Sequence, residues 1–269
     1  MMITQAIIPL AGLGTRMLPF SKVIPKELLP LGNVSILERI LLECEDAGIK
    51  KIYLIISKKK EIIKKYFQDD LFLESKVKNQ KSLIKKLNLL KKFKKKIKFI
   101  YQDTPKGLGD AVYKCRKLIN SQHFLLILPD DIIINKNCSK QLIDIYKKKI
   151  SSVIAVKNVK KNMVSRYGIA GYVKKKSNVL NINYLVEKPS LKLAPSTFAI
   201  IGRYILNKTI FKYLASSKKG KLGEIQITDA LNKMLNDGEI FRGCVFSGKY
   251  LDCGTLNGYV KSLKLIGGR

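Results

Sequence analysis

Short apolar runs take turns with longer segments of helical spacing through the first half of the chain, and that alternation is what most narrows its possible folds. Thr4–Ile8 is apolar and ends at a glycine-rich loop, which predicts a strand. In Ser35–Ala47, Ile36, Leu37, Ile40, Leu41 and Cys44 recur at helical intervals. Ser35 suits the N-cap, Glu38 its capping-box partner, and Gly48 the C-terminal stop. Lys51–Ile56 reads as a strand and Lys58–Gln68 as a helix. Residues 70–96 are lysine-rich with Leu and Ile at helical intervals, a helical excursion. Ile97–Tyr101 is again a strand, Gly109–Leu118 a helix and Phe124–Leu128 a strand. Strands separated by helices make parallel pairs with right-handed crossovers. The expected class is α/β, a Rossmann-like mixed, mostly parallel sheet flanked by helices.

The second half is less regular. Ser152–Val156, Gly168–Val173, Val179–Val186 and Thr197–Gly202 read as strands, and Leu206–Leu214, Glu224–Asn236 and Leu256–Leu265 as helices. This is an α+β extension sharing the same sheet. With neither a fixed repeat nor a linker, the expectation is one unit, 1–269, with halves 1–135 and 136–269.

Composition removes several classes of function. Hydrophobic residues make up 46% of the 269, enough for a sizeable core. No run approaches the roughly 20 apolar residues of a membrane helix, and Met1–Gly12 lacks a basic region ahead of an apolar one, so a soluble, cytoplasmic protein without a membrane partner is expected. Five cysteines without a C-x-x-C pair suit free thiols in a reducing compartment. The one histidine, His123, makes zinc and a Ser-His-Asp triad poor expectations. The net charge of +32 suggests nucleic acid when taken alone. Lysine dominates the excess, however, and Ile and Asn are abundant beside it, the mark of compositional drift. Lys76–Lys98 also offers only Phe93 for stacking, so nucleic acid is not the expected partner.

The loop after the first strand reads Leu10-Ala11-Gly12-Leu13-Gly14-Thr15-Arg16-Met17-Leu18-Pro19, followed by Ile24-Pro25-Lys26-Glu27-Leu28-Leu29-Pro30. Loops at the carboxyl ends of parallel strands are where open α/β sheets bind ligands. Backbone N–H groups of a glycine turn can cradle phosphate oxygens, and Arg16 and Lys26 add full charges. The spacing matches neither the P-loop nor the dinucleotide fingerprint. A plain glycine turn with two solvated cations is the alternative for the short G-x-G-x-R piece.

The whole stretch resembles the signature of sugar-1-phosphate nucleotidyltransferases. It is most similar to the uridylyltransferase branch, with its AGLGTR-x-LP and KxxPKExLP pattern. Thymidylyl- and adenylyl-transferring relatives usually carry AGGxGTRL, where this chain has Leu13. The likeness covers nearly the whole chain and is weakest over 70–96. It implies a glycosyltransferase-A-like nucleotidyltransferase fold and transfer of uridylyl from UTP to α-D-glucose 1-phosphate, giving UDP-glucose and pyrophosphate. It also implies Mg²⁺ as cofactor and a homo-oligomer, dimer or tetramer.

Further motifs extend the resemblance. In Gln102-Asp103-Thr104-Pro105-Lys106-Gly107-Leu108-Gly109-Asp110-Ala111, an amide that donates and accepts can pair with a pyrimidine edge. The resemblance assigns base recognition to Gln102 and the backbone near Gly107, with Ala11 and Gly12 helping, and puts Gly14 and Thr15 in the nucleotide loop. An apolar strand ends in Pro129-Asp130-Asp131, where carboxylates suit a hard cation. By resemblance Asp130 and Asp252 hold Mg²⁺, while Asp131 faces elsewhere if the pleat persists. Arg166-Tyr167-Gly168-Ile169 and Val186-Glu187-Lys188-Pro189 match sugar-site motifs, implying Gly168 and Glu187 for hydroxyls and Lys188 for the sugar phosphate. Alone, Glu187-Lys188 would read as an exposed ion pair. Gly223–Ala230 matches a family helix and is expected to act as wall and packing. Departures are Asn33-Val34-Ser35, where the family usually reads D-K-P, and the short tail Gly267-Gly268-Arg269.

A sugar phosphate is already an anion, so its attack needs no strong base. The difficulty is bringing two polyanions together, which calls for fixed positive charge and alignment. In that scheme Arg16 and Lys26 are the catalytic cations. The competing readings are transfer of another nucleotide or sugar, such as a thymidylyltransferase, a basic nucleic-acid-binding protein, and an inactive scaffold on the same fold.

Overall fold

Strand β1 (Gln5–Pro9) is buried on both faces: Ala6 and Ile8 join one apolar cluster and Ile7 the other. Such a strand needs neighbours on both edges and cover on both sides. The structure, a computed structural model, describes residues 2–217 and 223–267. Gly268 and Arg269 of the tail lie outside the described residues. After β1 come α1 (Ile36–Asp46), β2 (Lys51–Ile56), α2 (Glu61–Lys65), α3 (Leu71–Val77), α4 (Lys81–Lys94), β3 (Ile97–Tyr101), α5 (Leu108–Tyr113), β4 (His123–Ile127), β5 (Asp131–Ile134) and α6 (Cys138–Lys148). The rest comprises β6 (Ser152–Asn158), β7 (Gly168–Lys176), β8 (Val179–Glu187), β9 (Phe198–Asn207), α7 (Ile210–Ala215), α8 (Ile227–Asn236), β10 (Phe241–Val245), β11 (Lys249–Asp252) and α9 (Leu256–Gly267).

Among the described residues, nine strands form one sheet in the order β3-β2-β1-β4-β9-β6-β10-β8-β7. Strands β1 to β4 are parallel, as are β6 and β10, while β8 and β9 run against their neighbours. The sheet is therefore mixed, as expected, with the parallel run β1 to β4 in the N-terminal half and the reversed β8 and β9 beyond it. Strand β9 lies between β4 and β6, so one sheet passes through both halves of the chain. The loops after β1, β3 and β4 emerge at the same carboxyl edge, the ligand side of such sheets. There β5 and β11 pair as a separate antiparallel ribbon.

Local chemistry explains the first helix. Ser35 Oγ accepts from Glu38 N–H (3.1 Å) and Glu38 Oε2 accepts from Ser35 N–H (2.7 Å), closing the expected capping box. Such a cap contributes about 1 kcal/mol. Gly48, at φ +82°, ends the helix in the left-handed region. The predicted helix over 206–214 is corrected: β9 runs to Asn207 and α7 begins at Ile210. A strand buried on both faces reads as an unbroken apolar run, which periodicity cannot separate from a buried helix. Region 58–68 resolves into a 3-10 turn and the short α2, and regular helix in 109–118 stops at Tyr113.

The helical excursion over 70–96 is α3 and α4. Its charge is partly neutralised at home: Lys91 pairs with Glu74 (2.7 Å), Lys94 with Asp69 (2.8 Å), and Lys92 and Lys96 with Glu45 (3.1 and 2.6 Å). Among the described residues no helix is long and apolar enough to cross a membrane.

Candidate active site

A cleft of about 750 Å³ opens at the carboxyl edge of β1, β3 and β4. Its walls contain every residue singled out from the sequence: Ala11, Gly12, Gly14, Thr15, Arg16, Lys26, Gln102, Gly107, Asp130, Gly168, Glu187, Lys188 and Asp252.

The glycine loop turns sharply because Gly14 sits at φ +70°, where a Cβ would also press on Ser21 at 3.2 Å. Ser21 Oγ donates to the Gly14 carbonyl (2.8 Å), fixing that turn. The following 3-10 turns carry Arg16 and Lys26 to the same carboxylate. Arg16 Nη2 lies 3.1 Å from Asp130 Oδ2, and Lys26 Nζ bonds Asp130 Oδ1. The Lys26 side chain is 12% exposed and that of Arg16 65%, so lysine forms the wall and arginine the rim.

Beneath Lys26 lies a buried pair that sequence reasoning missed. Lys60 Nζ donates to both Glu27 carboxylate oxygens (2.9 Å each) and to the Leu10 carbonyl (2.6 Å). It thereby ties the end of β1 to the residue next to Lys26. Lys60 sits in a run of three lysines, and nothing local distinguishes it from its exposed neighbours; only the fold buries it.

The two acids expected at a metal, Asp130 and Asp252, come from segments far apart in the sequence. Cys253 N–H donates to the Asp130 carbonyl (2.8 Å), continuing the β5–β11 pairing in which Asp252 faces Asp131. Gly254 permits this approach, since a Cβ there would lie 2.8 Å from Asp130 Oδ2. Asp131 turns away as expected: Tyr250 Oη donates to it (2.7 Å), as does Gly202 N–H (2.8 Å). Burial raises its pKa, against the pull of those donors. Arg166 Nη2 stands 3.8 Å from Asp252 Oδ2, a second cation–acid pair not foreseen from the sequence.

The carboxylates of Asp130 and Asp252 are both partly exposed to the cleft, and oxygen donors of this kind suit a hard divalent cation. Cys253 is not a competing ligand, because burial pushes its thiol up to about 12. Among the described residues no cluster of three or more His, Cys, Asp or Glu could hold a metal. Two carboxylates completed by ligand phosphates is the arrangement that fits.

Beneath this edge, Arg203 is fully buried and clamps the sheet. Its guanidinium bonds both Glu43 oxygens (2.8 to 3.2 Å) and the Leu128 and Gly202 carbonyls (3.1 and 3.0 Å). Residues 128–131 are held to β9 by this clamp.

The opposite wall is built by β7, β8 and α8. Gly168 faces Glu187 across the β7–β8 pairing. Lys188 N–H bonds the Tyr167 carbonyl (3.0 Å) and sits at φ +45°, a strained turn that ends β8. Thr228 Oγ1 donates to Glu187 Oε2 at 3.3 Å. The segment before α8 also holds the 102–110 loop: Gly109 N–H donates to the Ile225 carbonyl and Ile225 N–H to the Lys106 carbonyl, both at 2.8 Å. The wall expected from Gly223–Ala230 thus joins the 102–110 loop to Glu187.

Residues 5–267 match the family described as Nucleotidyl transferase. The chain belongs to that family. Among the relatives is UTP–glucose-1-phosphate uridylyltransferase 2 of Staphylococcus saprophyticus, 38% identical over 266 residues, 97% of this chain and 90% of the relative. A structure of apo UDP-glucose pyrophosphorylase superposes with a TM-score of 0.91 at 33% identity, covering 99% of each chain. A UDP-glucose pyrophosphorylase complexed with UDP-glucose gives 0.87 at 32% identity, again over 99% of both chains. In this nucleotidyl transferase the matched residues include all of the cleft described above.

Proposed function

We propose that the chain transfers the uridylyl group of UTP to α-D-glucose 1-phosphate, forming UDP-glucose and releasing pyrophosphate. The observation that carries this reading is the convergence of Arg16 and Lys26 on Asp130, in one cleft with Glu187, Lys188 and Asp252. Relatives named for this reaction, at 35–38% identity over nearly the whole chain, support it.

A phosphate oxygen of glucose 1-phosphate attacks the α-phosphorus of UTP. The new P–O bond forms as the bond to the β-phosphoryl oxygen breaks, and pyrophosphate leaves with that electron pair. No base is required, and none is on offer in His123, whose pKa burial lowers to about 4. Lys26 and Arg16 pair with Asp130 and are the cations best placed to meet phosphate oxygens. Positive charge fixed in place before the reaction stabilises the transition state without the cost of reorganising water around it. A divalent cation, which we take to be Mg²⁺, would be held by Asp130 and Asp252 and would offset phosphate charge. Ala11, Gly12, Gly14 and Thr15 supply the nucleotide loop, and Gln102 and Gly107 the base pocket. Gly168 and Glu187 take sugar hydroxyls and Lys188 the sugar phosphate. Residues 1–135 thus form the nucleotide side and 136–269 the sugar-phosphate side of one unit.

Five free, buried cysteines support a cytoplasmic setting. A homo-oligomer is carried over from the resemblance; sedimentation of the purified chain tests it. The reaction is tested by pyrophosphate release across UTP, dTTP, CTP and ATP with several sugar 1-phosphates. Turnover is expected with UTP and glucose 1-phosphate, and its absence there, with activity on another pair, replaces the reading.

A further inference from the structure

Gln102 follows β3 and is 5% exposed, its main chain anchored by N–H donation to the Ile56 carbonyl (2.8 Å). Its side-chain nitrogen carries two N–H groups, and both are committed. Nε2 donates to Asp110 Oδ2 at 2.7 Å and to the Gly107 carbonyl at 3.1 Å. Both partners, an ionised carboxylate and a backbone carbonyl, can only accept. Either one would be left facing oxygen if the amide turned over. The flip of Gln102 is therefore decided by chemistry on its inner side, and its oxygen is the end left for the cleft it lines.

From this geometry we infer that Asp110 is a specificity-determining positioning residue: by holding the Gln102 amide with its nitrogen inward, it makes the base pocket present a fixed acceptor. A free amide donates and accepts at once and would serve either pyrimidine edge. A fixed acceptor is selective. It takes the N3–H of a uracil or thymine ring and opposes the bare N3 of cytosine, oxygen against lone pair. Sites built around a hydrogen bond discriminate strongly, because the mismatched ligand leaves a buried polar group unpaired. The loop itself supports the arrangement. Gly107 stands at φ +95°, and residues 106 and 109 are pinned to Ile225, so the backbone that carries both acceptors is held beside the amide.

The inference rests on the reading of the cleft as a UTP site, and the test separates the two. Asp110→Asn gives position 110 an amide able to offer its own N–H, which removes the shorter of the two acceptor contacts and leaves only the Gly107 carbonyl at 3.1 Å to oppose a turn of Gln102. The kcat and KM for UTP and CTP, each with saturating glucose 1-phosphate, are measured for wild type and variant by pyrophosphate release. The wild type is expected to favour UTP strongly. In Asp110→Asn the UTP-to-CTP ratio of kcat/KM is expected to fall about tenfold or more, through a higher KM for UTP and a lower one for CTP. A wild type inactive on UTP overturns the functional reading. A wild type active on UTP with an unchanged ratio in the variant overturns the role of Asp110 alone, since a loss of packing would weaken both nucleotides equally. If the variant does not fold, N3-methyl-UTP is offered to the wild-type enzyme. It lacks the N3–H and is expected neither to react nor to compete with UTP, whereas turnover comparable to UTP overturns the fixed-acceptor assignment.

Discussion

The Cys253 N–H donates to the Asp130 carbonyl at 2.8 Å, and through that bond the carboxylates of Asp130 and Asp252, far apart in the sequence, are brought to one cleft. Asp252 follows from β11 and Asp130 from the end of β4, and neither position is meaningful without the other. Asp252→Asn is expected to raise the half-saturating Mg²⁺ concentration on the order of tenfold or more. A magnesium titration of UDP-glucose formation that superposes on wild type argues against the metal role of Asp252.

Lys26 is the cation most enclosed by the cleft wall, and its partner is Asp130. Lys26→Ala should lower kcat by roughly 10²–10³, the scale for losing a preorganised charge-stabilising donor. The KM for glucose 1-phosphate should change far less. Initial rates at saturating substrates decide this, and near-wild-type turnover removes Lys26 from the chemistry.

The buried Lys60–Glu27 pair supports the loop bearing Lys26, and its lysine also holds the Leu10 carbonyl. Lys60→Met leaves the Glu27 carboxylate buried and unpaired, which costs about 3–5 kcal/mol. Adding Glu27→Gln should recover part of that loss, because an uncharged amide needs less compensation there. Urea unfolding of the single and double variants measures both values, and additive losses contradict the pairing.

His123 is 3% exposed beside Tyr146, and burial lowers its pKa from 6.5 to about 4. The unfolded chain takes up this proton near the ordinary value and the folded chain only near 4. Between those values the unfolded state binds more protons, so stability is full above about pH 6.5 and falls as pH drops toward 4. The loss is on the order of 2–3 kcal/mol. His123→Gln should remove about one proton from the pH slope. Unfolding free energies near pH 7.5 and pH 5, compared between the two proteins, read this directly.

Much of the fold was written in local pattern. The edges of β2 and β3 coincide with the predicted ones, and the Ser35–Glu38 capping box is present as expected. Asp131 is held by Gly202 and Tyr250, but not through a continuing pleat: β4 ends at Ile127, and Pro129-Asp130 is a turn before β5. Strands β5, β10 and β11 and helix α6 were not predicted; β5 and β11 are only four residues each, whereas α6 is as long as α1 and was missed.

The order of the chain determined which residues of its N-terminal half reach the cleft. A loop after a parallel strand must open at the carboxyl edge, so the glycine loop, the Gln102 loop and the Asp130 turn were committed to one side as soon as their strands were. Tertiary structure decided how those side chains are used. The insertion of β9 between β4 and β6, and the approach of β11 to β5, bring together partners far apart in sequence. Pairings such as Lys60 with Glu27, Arg166 with Asp252 and Arg203 with Glu43 depend on that arrangement, as does the anchoring of the Gln102 loop at Ile225. Periodicity reports the face a residue turns to the core, whereas a hydrogen bond between distant segments needs the distance and direction that only packing supplies.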